Sequence, residues 1–200
     1  LETFDIDEKY SFLARDKNNT YASGKKTSND YESYTVLEYN YKKNKNYVWH
    51  PFTGLIKDAD PNTFEVINRD YTKDKNYVYL DGEILEKADP NTFEVVHKYY
   101  TKDKDYVFYL WDDIENADPE TFQYIAGPIT KDKEKVFFKY FEIENADPIS
   151  IGVIDEDSEH GHYSLAFSFD KNSVFFNDKQ IEGADPNSFE ISSFHTHNGN

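Results

Sequence analysis

The sequence contains no cysteine and no methionine, and each absence excludes something. Without cysteine, the 200-residue chain has no disulfide bond, no thiolate metal ligand and no thiol nucleophile. Without methionine it shows no initiator residue, so we expect that a leader segment has been removed or lies outside this sequence. A run of about 20 apolar residues is also missing, so the sequence predicts no transmembrane helix.

The chain also lacks an excess of positive charge. Its net charge is −17, and its lysines lie next to aspartates in units such as "KDK". Nucleic acid and anionic lipid would repel such a surface, so we expect neither as a partner. The charge favours a basic protein, a cation or a neutral glycan. The 17 Tyr, 16 Phe and 2 Trp argue against a disordered acidic chain and indicate a folded, β-rich protein.

Two short motifs recur along the chain with a shared period. The Asp of "ADP" occurs at Asp60, Asp89, Asp118, Asp147 and Asp185. The residue that opens each "DKN"-like turn is Asn44, Asp74, Asp103, Asp132 or Asp170. Successive positions are 29 or 30 residues apart, and the last interval is 38. With a degenerate first copy, we predict one repeat domain over 1–200, with copies near 12–41, 42–70, 71–99, 100–128, 129–166 (with an insertion) and 167–195.

Each copy follows one plan of turns and three short strands. Around Asp74, the turn "KDKN" precedes a strand "YVYL", a hairpin at Asp81–Gly82 and a second strand. The corner "ADPNTF" follows, and a third strand "FEVV" runs to the next turn. Val78 and Tyr79 are adjacent and both apolar, which predicts that the first strand is covered on both faces.

The apolar surface of one copy predicts how the copies associate. A unit of 29 residues is too small to bury its own core, so neighbouring copies must stack. We therefore predict a mainly β fold of about six tandem β-repeats, forming an open β-repeat array or a solenoid. A small β-propeller is the alternative, although its blades normally need four strands and about 40 residues. The atypical first and last copies favour an open array.

The recurring aspartates suggest structural roles, with binding as the alternative. Asp89 is placed to cap one helical turn that starts at Pro90, by accepting the backbone N–H of Thr92. Ala88 and Phe93 would pack across that turn. A set of five carboxylates presented for binding is the other interpretation of these corners. The oxygen ligands in turns such as Asp74–Asn76 resemble the start of a Ca²⁺ loop, but an Asx-type turn that opens a strand explains them equally.

The insertion interrupts the period between Asp147 and Asp170 with nine extra residues, within "IDEDSEHGHYSLAF". Its candidate contact residues are Asp155, Glu156, Asp157, Glu159, His160 and His162. Histidines beside carboxylates could hold Zn²⁺ or Ni²⁺, and irregular loops often contact partners. A solvated hairpin extension is the third possibility. We predict no metal or cofactor elsewhere. We expect His50 and His97 to be ordinary surface residues or residues with satisfied hydrogen bonds, and His195 and His197 to belong to a polar terminal segment.

These motifs resemble those of the DKNYY family of bacterial repeat proteins. The resemblance rests on "DKNYVY" at 74–79, on "DKDYVF" and "DKNSVF", and on the repeated "ADPNTFEV". It implies a bacterial origin and an exported, periplasmic or cell-surface setting, but it supplies no activity and no catalytic residue. The first copy departs from the pattern at Tyr31, where the family has Pro.

The sequence favours a protein without enzymatic activity. It contains no G-x-S-x-G, no P-loop and no G-x-G-x-x-G motif, and repeated carboxylates share one environment, whereas a catalytic pair needs two. We expect a binding or scaffold module of the cell envelope that engages a protein or glycan. Tyr71, Tyr99 and Tyr100 are candidate exposed contacts, and the alternative is that they cover the sheet. The alternative function is that of an acidic immunity or inhibitor protein that neutralises a basic toxin.

Overall fold

The computed structural model describes residues 34–154 and 166–191 and, before residue 34, the backbone of 5–6, 13–15, 20–22 and 25–26. The described chain is nearly all β. It forms six separate four-stranded antiparallel sheets, each in the order of the chain. The described part contains no α-helix, only one 3₁₀ turn at Glu38–Asn40.

The strands of each sheet are short and follow one another directly. The first sheet contains β1 (Asp5–Ile6), β2 (Leu13–Arg15), β3 (Thr20–Ala22) and β4 (Lys25–Lys26). The second contains β5 (Thr35–Val36), β6 (Lys42–Lys43), β7 (Val48–His50) and β8 (Gly54–Leu55). The third contains β9 (Glu65–Val66), β10 (Tyr71–Lys73), β11 (Val78–Leu80) and β12 (Glu83–Ile84).

The remaining three sheets repeat this plan. The fourth contains β13 (Glu94–His97), β14 (Tyr100–Lys102), β15 (Val107–Tyr109) and β16 (Asp112–Asp113). The fifth contains β17 (Gln123–Ala126), β18 (Ile129–Lys131), β19 (Val136–Phe138) and β20 (Phe141–Glu142). The sixth contains β21 (Gly152–Ile154), β22 (Phe167–Phe169), β23 (Val174–Phe176) and β24 (Lys179–Gln180).

These sheets confirm the predicted fold class of tandem β-repeats. Within the described residues each sheet keeps two open edges and none closes into a barrel, which is consistent with an open β-repeat array. The chain divides into two compact units. The first unit comprises residues 1–94 and 102–104, and the second comprises 95–101 and 105–200.

The number of strands in a unit was predicted wrongly. A fourth strand, with the sequence "YTK" in β10 and β14, lies between the strand that follows each corner and the next turn. It has only three residues, too few to show a periodic pattern. It is an inner strand, because β10 pairs with both β9 and β11. Tyr71 and Thr72 point to opposite faces and are fully buried, so both faces of β10 are covered as well.

The third strand of the second to sixth sheets is buried on both faces, as predicted. The buried valines are Val48, Val78, Val107, Val136 and Val174, and the aromatic residues that follow them are Trp49, Tyr79, Phe108, Phe137 and Phe175. The two columns point to opposite faces of their sheets. Burial of a large apolar side chain stabilises a fold by about 1.5–3 kcal/mol, so this strand is the main source of core in each repeat.

The aromatic column joins each repeat to the one before it. In the first unit, Tyr79 packs in one cluster with Val48, Ile56 and Phe64 of the preceding repeat. In the second unit, Phe137 packs in the same way on the preceding repeat, and Phe175 packs on the core around Val136. Since one repeat cannot cover its own core, this shared packing makes neighbours depend on each other.

Candidate functional site

The corner aspartates (Asp60, Asp89, Asp118, Asp147 and Asp185) are already engaged by their own corners. In the corner of Asp89, Oδ1 accepts the backbone N–H of Asn91 at 3.0 Å. The N–H of Thr92 instead bonds the backbone carbonyl of Asp89 at 3.2 Å. The predicted helical turn is therefore wrong: each corner is a β-turn with an Asx bond, because the chain reverses before a helix can form.

Four corner carboxylates also form ion pairs with a lysine of the following turn. The pairs are Asp60–Lys75, Asp89–Lys104, Asp118–Lys133 and Asp147–Lys171, with N–O distances of 2.8–3.0 Å. The hydrogen bond from Lys104, followed by that from Asn91, lowers the pKa of Asp89 to about 2. Lys171 has the same effect on Asp147, whose pKa is also about 2. These carboxylates are ionised and bound within the corner.

The turn aspartates (Asp74, Asp103, Asp132 and Asp170) are buried and have a different role. Oδ1 of Asp132 accepts the backbone N–H groups of Glu134 and Lys135, both at 2.7 Å. Oδ2 accepts the backbone N–H of the corner residue Asp118 at 2.9 Å. The same corner-to-turn bond joins Asp60 to Asp74, Asp89 to Asp103 and Asp147 to Asp170, at 2.7–2.8 Å.

This geometry decides between the two interpretations of the "DKN" turns. The turn carboxylates direct both oxygens at N–H donors, which leaves them unsuited to coordinate a cation. A Ca²⁺ loop needs six to eight oxygens converging on one point, and the described residues contain no cluster of three or more acidic or histidine side chains that could hold a metal. The Asx-turn interpretation is the one the turns support.

Comparison with known families agrees with this architecture. The model of the DKNYY family matches residues 13–141 and 130–200. The chain belongs to the DKNYY family. The resemblance seen in the motifs is thereby confirmed over most of the chain. No curated protein and no solved structure matches it.

The insertion of this DKNYY chain lies mostly outside the described residues, including Asp155, Glu156, Asp157, Glu159, His160 and His162. Its two ends are described: Ile154 pairs with Phe167 across the β21–β22 hairpin. The corner-to-turn bond from Asp147 to Asp170 spans the insertion at 2.8 Å. The extra residues are therefore accommodated in one hairpin connection without any change in the repeat contacts.

Several residues proposed as contacts or surface groups are structural. Tyr71 and Tyr100 are buried, so they cover the sheet and are not exposed contacts. The Tyr100 hydroxyl donates to the Pro128 carbonyl at 2.8 Å. Tyr99 is half-buried. His50 is buried, and its Nδ1 accepts the N–H groups of Phe52 and Thr53.

His97 is also partly covered. Its ring stacks on Tyr124 with a centroid distance of 3.7 Å, and burial followed by the nearby Lys98 charge lowers its pKa. His195 and His197 lie outside the described residues. Among the described residues, no helix has the length and apolar character needed to span a bilayer.

An aromatic surface that sequence reasoning missed lies on two hairpins of the second unit. We define it by Tyr109, Trp111, Tyr140 and Phe141. Trp111 and Phe141 are each 48% exposed, and Tyr140 is 39% exposed. The ring of Tyr140 lies 6.0 Å from that of Tyr109 and 4.3 Å from that of Phe141, so it bridges the β15–β16 and β19–β20 hairpins.

The sequences of the sister hairpins differ at the residues that form this surface. Trp111 and Tyr140 occupy the position of Gly82 in the Asp81–Gly82 turn, where a small residue is normally expected. A large aromatic residue at a turn position does not improve the turn. Such a substitution therefore indicates a role outside the repeat scaffold.

Proposed function

We propose that this DKNYY-family chain is a non-catalytic binding module of the bacterial cell envelope that engages a protein or a glycan through the surface of its repeats. The observation that carries the proposal is the exposed aromatic surface of Tyr109, Trp111, Tyr140 and Phe141, held on a regular scaffold. Aromatic residues are enriched in binding interfaces because they bury a large area at a small entropic cost. The envelope setting is supported by the family resemblance alone.

The use of the repeated carboxylates also supports binding rather than catalysis. A catalytic pair needs two carboxyl groups in different environments. Here the corner aspartates share one environment, and each turn aspartate accepts backbone N–H groups. Chemistry at these residues would require breaking the contacts that hold neighbouring repeats together.

A retention experiment on envelope extracts tests the proposal. The immobilised chain is compared with a Trp111→Gly/Tyr140→Gly variant and with a variant in which residues 155–165 are replaced by one Gly. We expect envelope components that the parent chain retains to be lost with one of the two variants. Equal retention by all three chains, or no retention by any, would refute a binding role for both surfaces.

The acidic inhibitor function is the second candidate, and the net charge of −17 favours it. A basic toxin encoded beside this gene would support that function, whereas a signal peptide or lipoprotein leader upstream of the sequence would support the envelope module. The insertion with Asp155, Glu156, Asp157, Glu159, His160 and His162 remains the proposed contact loop in either case, and divalent metal binding there is a weaker possibility.

A further inference from the structure

Two hairpins of the second unit depart from the turn chemistry of their sister hairpins. The four related two-residue loops are Asp81–Gly82, Leu110–Trp111, Lys139–Tyr140 and Asn177–Asp178. The first residue of every loop has a left-handed backbone, with φ between 49° and 57°. Asp and Asn adopt this conformation with little strain, whereas it strains the backbone of Leu110 and Lys139. Backbone strain of this kind is common at binding sites.

The strained loops present the aromatic surface. Tyr109 precedes the Leu110–Trp111 loop, whereas on the next hairpin Tyr140 is the second loop residue and Phe141 follows the loop. The rings of Tyr109, Tyr140 and Phe141 form a continuous row with centroid distances of 6.0 and 4.3 Å. The second unit therefore has a solvent-facing aromatic platform, formed at some cost in turn stability.

Acidic residues follow the loops of both hairpins in the sequence. Asp112 and Asp113 form the edge strand β16 directly after Trp111, and Glu142 follows Phe141 on the edge strand β20; all three are exposed. Glu115 and Glu144 lie two residues further along each hairpin and are exposed too. Against these five acidic groups, the two hairpin segments 109–116 and 138–145 carry one lysine, Lys139, and Glu142 also pairs with Lys135 at 2.6 Å.

The first unit contains an exposed aromatic ring that is contacted by a cation. On its β7–β8 hairpin, Phe52 is 58% exposed, and the Arg69 guanidinium lies 5.6 Å from the centre of its ring. A cation over an aromatic face is attracted by the ring quadrupole, and Trp gives the strongest attraction. Trp111 offers a larger face in a more acidic setting.

We propose that the aromatic surface of Tyr109, Trp111, Tyr140 and Phe141, with the carboxylates beside it, binds a cationic segment of a partner protein. Lysine or arginine side chains would lie over the rings and pair with Asp112 and its acidic neighbours. A neutral glycan would stack on the rings and could hydrogen-bond the carboxylates through its hydroxyl groups, but it would form no ion pairs with them. The inference rests on the proposed binding function and names the partner class for one surface.

Binding of a fluorescein-labelled (Lys-Arg)₅ peptide, measured by anisotropy at 150 mM NaCl, tests the inference. We expect saturable binding that Trp111→Gly/Tyr140→Gly weakens by about tenfold or more, because two ring contacts are lost. This variant keeps the net charge. It should also fold, because Gly82 occupies the same position in a sister hairpin. Its melting temperature checks this point.

A charge-matched pair of variants separates the site from general attraction to an acidic chain. Asp112→Asn/Asp113→Asn should weaken binding about fivefold or more, whereas Glu83→Gln/Glu86→Gln, two exposed residues of the first unit, should change it less than about twofold. Equal effects of the two pairs, together with no effect of the glycine variant, would mean non-specific attraction and would overturn the inference.

A second readout locates the bound peptide. Trp49 is buried where sister repeats have Phe, so Trp49→Phe leaves Trp111 as the sole tryptophan. We expect its emission to shift on peptide addition. An N-acetylglucosamine hexamer is the alternative probe: if it shifts the emission and the peptide does not, the cationic partner is wrong while the binding function stands. If neither probe shifts the Trp111 emission, the inference is also overturned. The binding function is then judged by the retention experiment alone.

Discussion

At the scale of single residues, the two aspartates of each repeat differ in what their oxygens accept. The turn aspartate Asp132 accepts three backbone N–H groups, one of which belongs to the corner residue Asp118. The corner aspartate accepts N–H and hydroxyl groups of its own corner and the ammonium group of a lysine. The turn residue is therefore buried and joins two segments, whereas the corner residue stays closer to solvent.

Asp132→Asn should destabilise the chain by about 2–3 kcal/mol. The amide Oδ1 can replace one carboxylate oxygen, but Nδ2 would face the N–H of Asp118, so a buried donor would lose its acceptor. Asn44 is the natural residue at the equivalent turn of an earlier repeat. Its Oδ1 accepts the N–H groups of Asn46 and Tyr47, so an amide can supply the two bonds within the turn with its one acceptor oxygen. Urea unfolding followed by circular dichroism measures the change, with Asn44→Asp as the control at about 0.5 kcal/mol or less. A loss below about 0.5 kcal/mol for Asp132→Asn would contradict the assigned role.

Lys87→Asn should stabilise the chain by about 0.5–1 kcal/mol. Lys87 has a φ of 68°, a left-handed conformation that strains most side chains and suits Asn or Gly. The equivalent residues of later repeats are Asn116, Asn145 and Gly183, with φ of 60–76°. The reverse change, Asn116→Lys, should lower the free energy of unfolding by a similar amount in the same assay. Equal stabilities for all three chains would show that the backbone conformation at this position carries no cost.

At the scale of elements, the corner and the following turn behave as one unit held by three contacts. Between Asp118 and Asp132 these are the backbone bond to the turn carboxylate, the Asp118–Lys133 ion pair, and the bond from the Lys133 N–H to the Thr121 hydroxyl. The same set recurs at the corner of Asp147, with Ser150 in place of Thr121. The side chains of "DK" in the turn and of "D" and "T" in the corner are thus complementary parts of one contact.

This contact should make stability fall in acid. The pKa of Asp89 is about 2 in the folded chain, below its unfolded value of about 3.9, so folding favours the ionised form. The resulting stability is fully present above the unfolded pKa and is lost as the pH falls through about 4 to about 2. Melting temperatures between pH 6 and pH 2 should show this decline.

A lysine variant links the acid effect to the ion pair. Lys104→Met removes the largest cause of the low pKa of Asp89, so the carboxyl should titrate closer to its ordinary pKa in an NMR titration. Lys57→Met removes a lysine that is highly exposed beside Asp58, and it should leave the titration of Asp89 unchanged. Identical Asp89 titrations in all three chains would assign the low pKa to the backbone and side-chain hydrogen bonds from Asn91.

Features that recur in several copies could be predicted from the sequence, whereas a strand too short to show a periodic pattern could not. The period and the buried pair Val78–Tyr79 recur in several copies, so the sequence predicted them correctly. The position of each corner was predicted too, but its β-turn conformation was not. The inner strand Tyr71–Lys73 has three residues and no period of its own, and it was missed together with the burial of its tyrosine. The aromatic surface was missed because it lies at positions where the copies differ, whereas the predictions rested on the residues that the copies share.

At the scale of the whole molecule, the repeats tolerate interruption because each contact is local. The bond between Asp147 and Asp170 spans 23 residues at 2.8 Å, while the bond between Asp118 and Asp132 spans 14 at 2.9 Å. Ile154 and Phe167 then pair as the ends of the hairpin that holds the insertion. The scaffold can therefore change one connection for function without altering its neighbours.

Replacing residues 155–165 with a single Gly should leave the fold intact and raise its stability by up to about 1.5 kcal/mol. The sister hairpin joins Ala126 to Ile129 through two residues, so the shortened connection has a natural precedent. Closing a shorter loop costs less entropy. The difference in closure free energy is about (3/2)RT multiplied by the logarithm of the ratio of the two loop lengths. Urea unfolding of the two chains measures the difference. A loss of more than about 1 kcal/mol would show that the insertion packs on the scaffold, and a rise in melting temperature with Zn²⁺ or Ni²⁺ in the parent chain alone would assign it a metal.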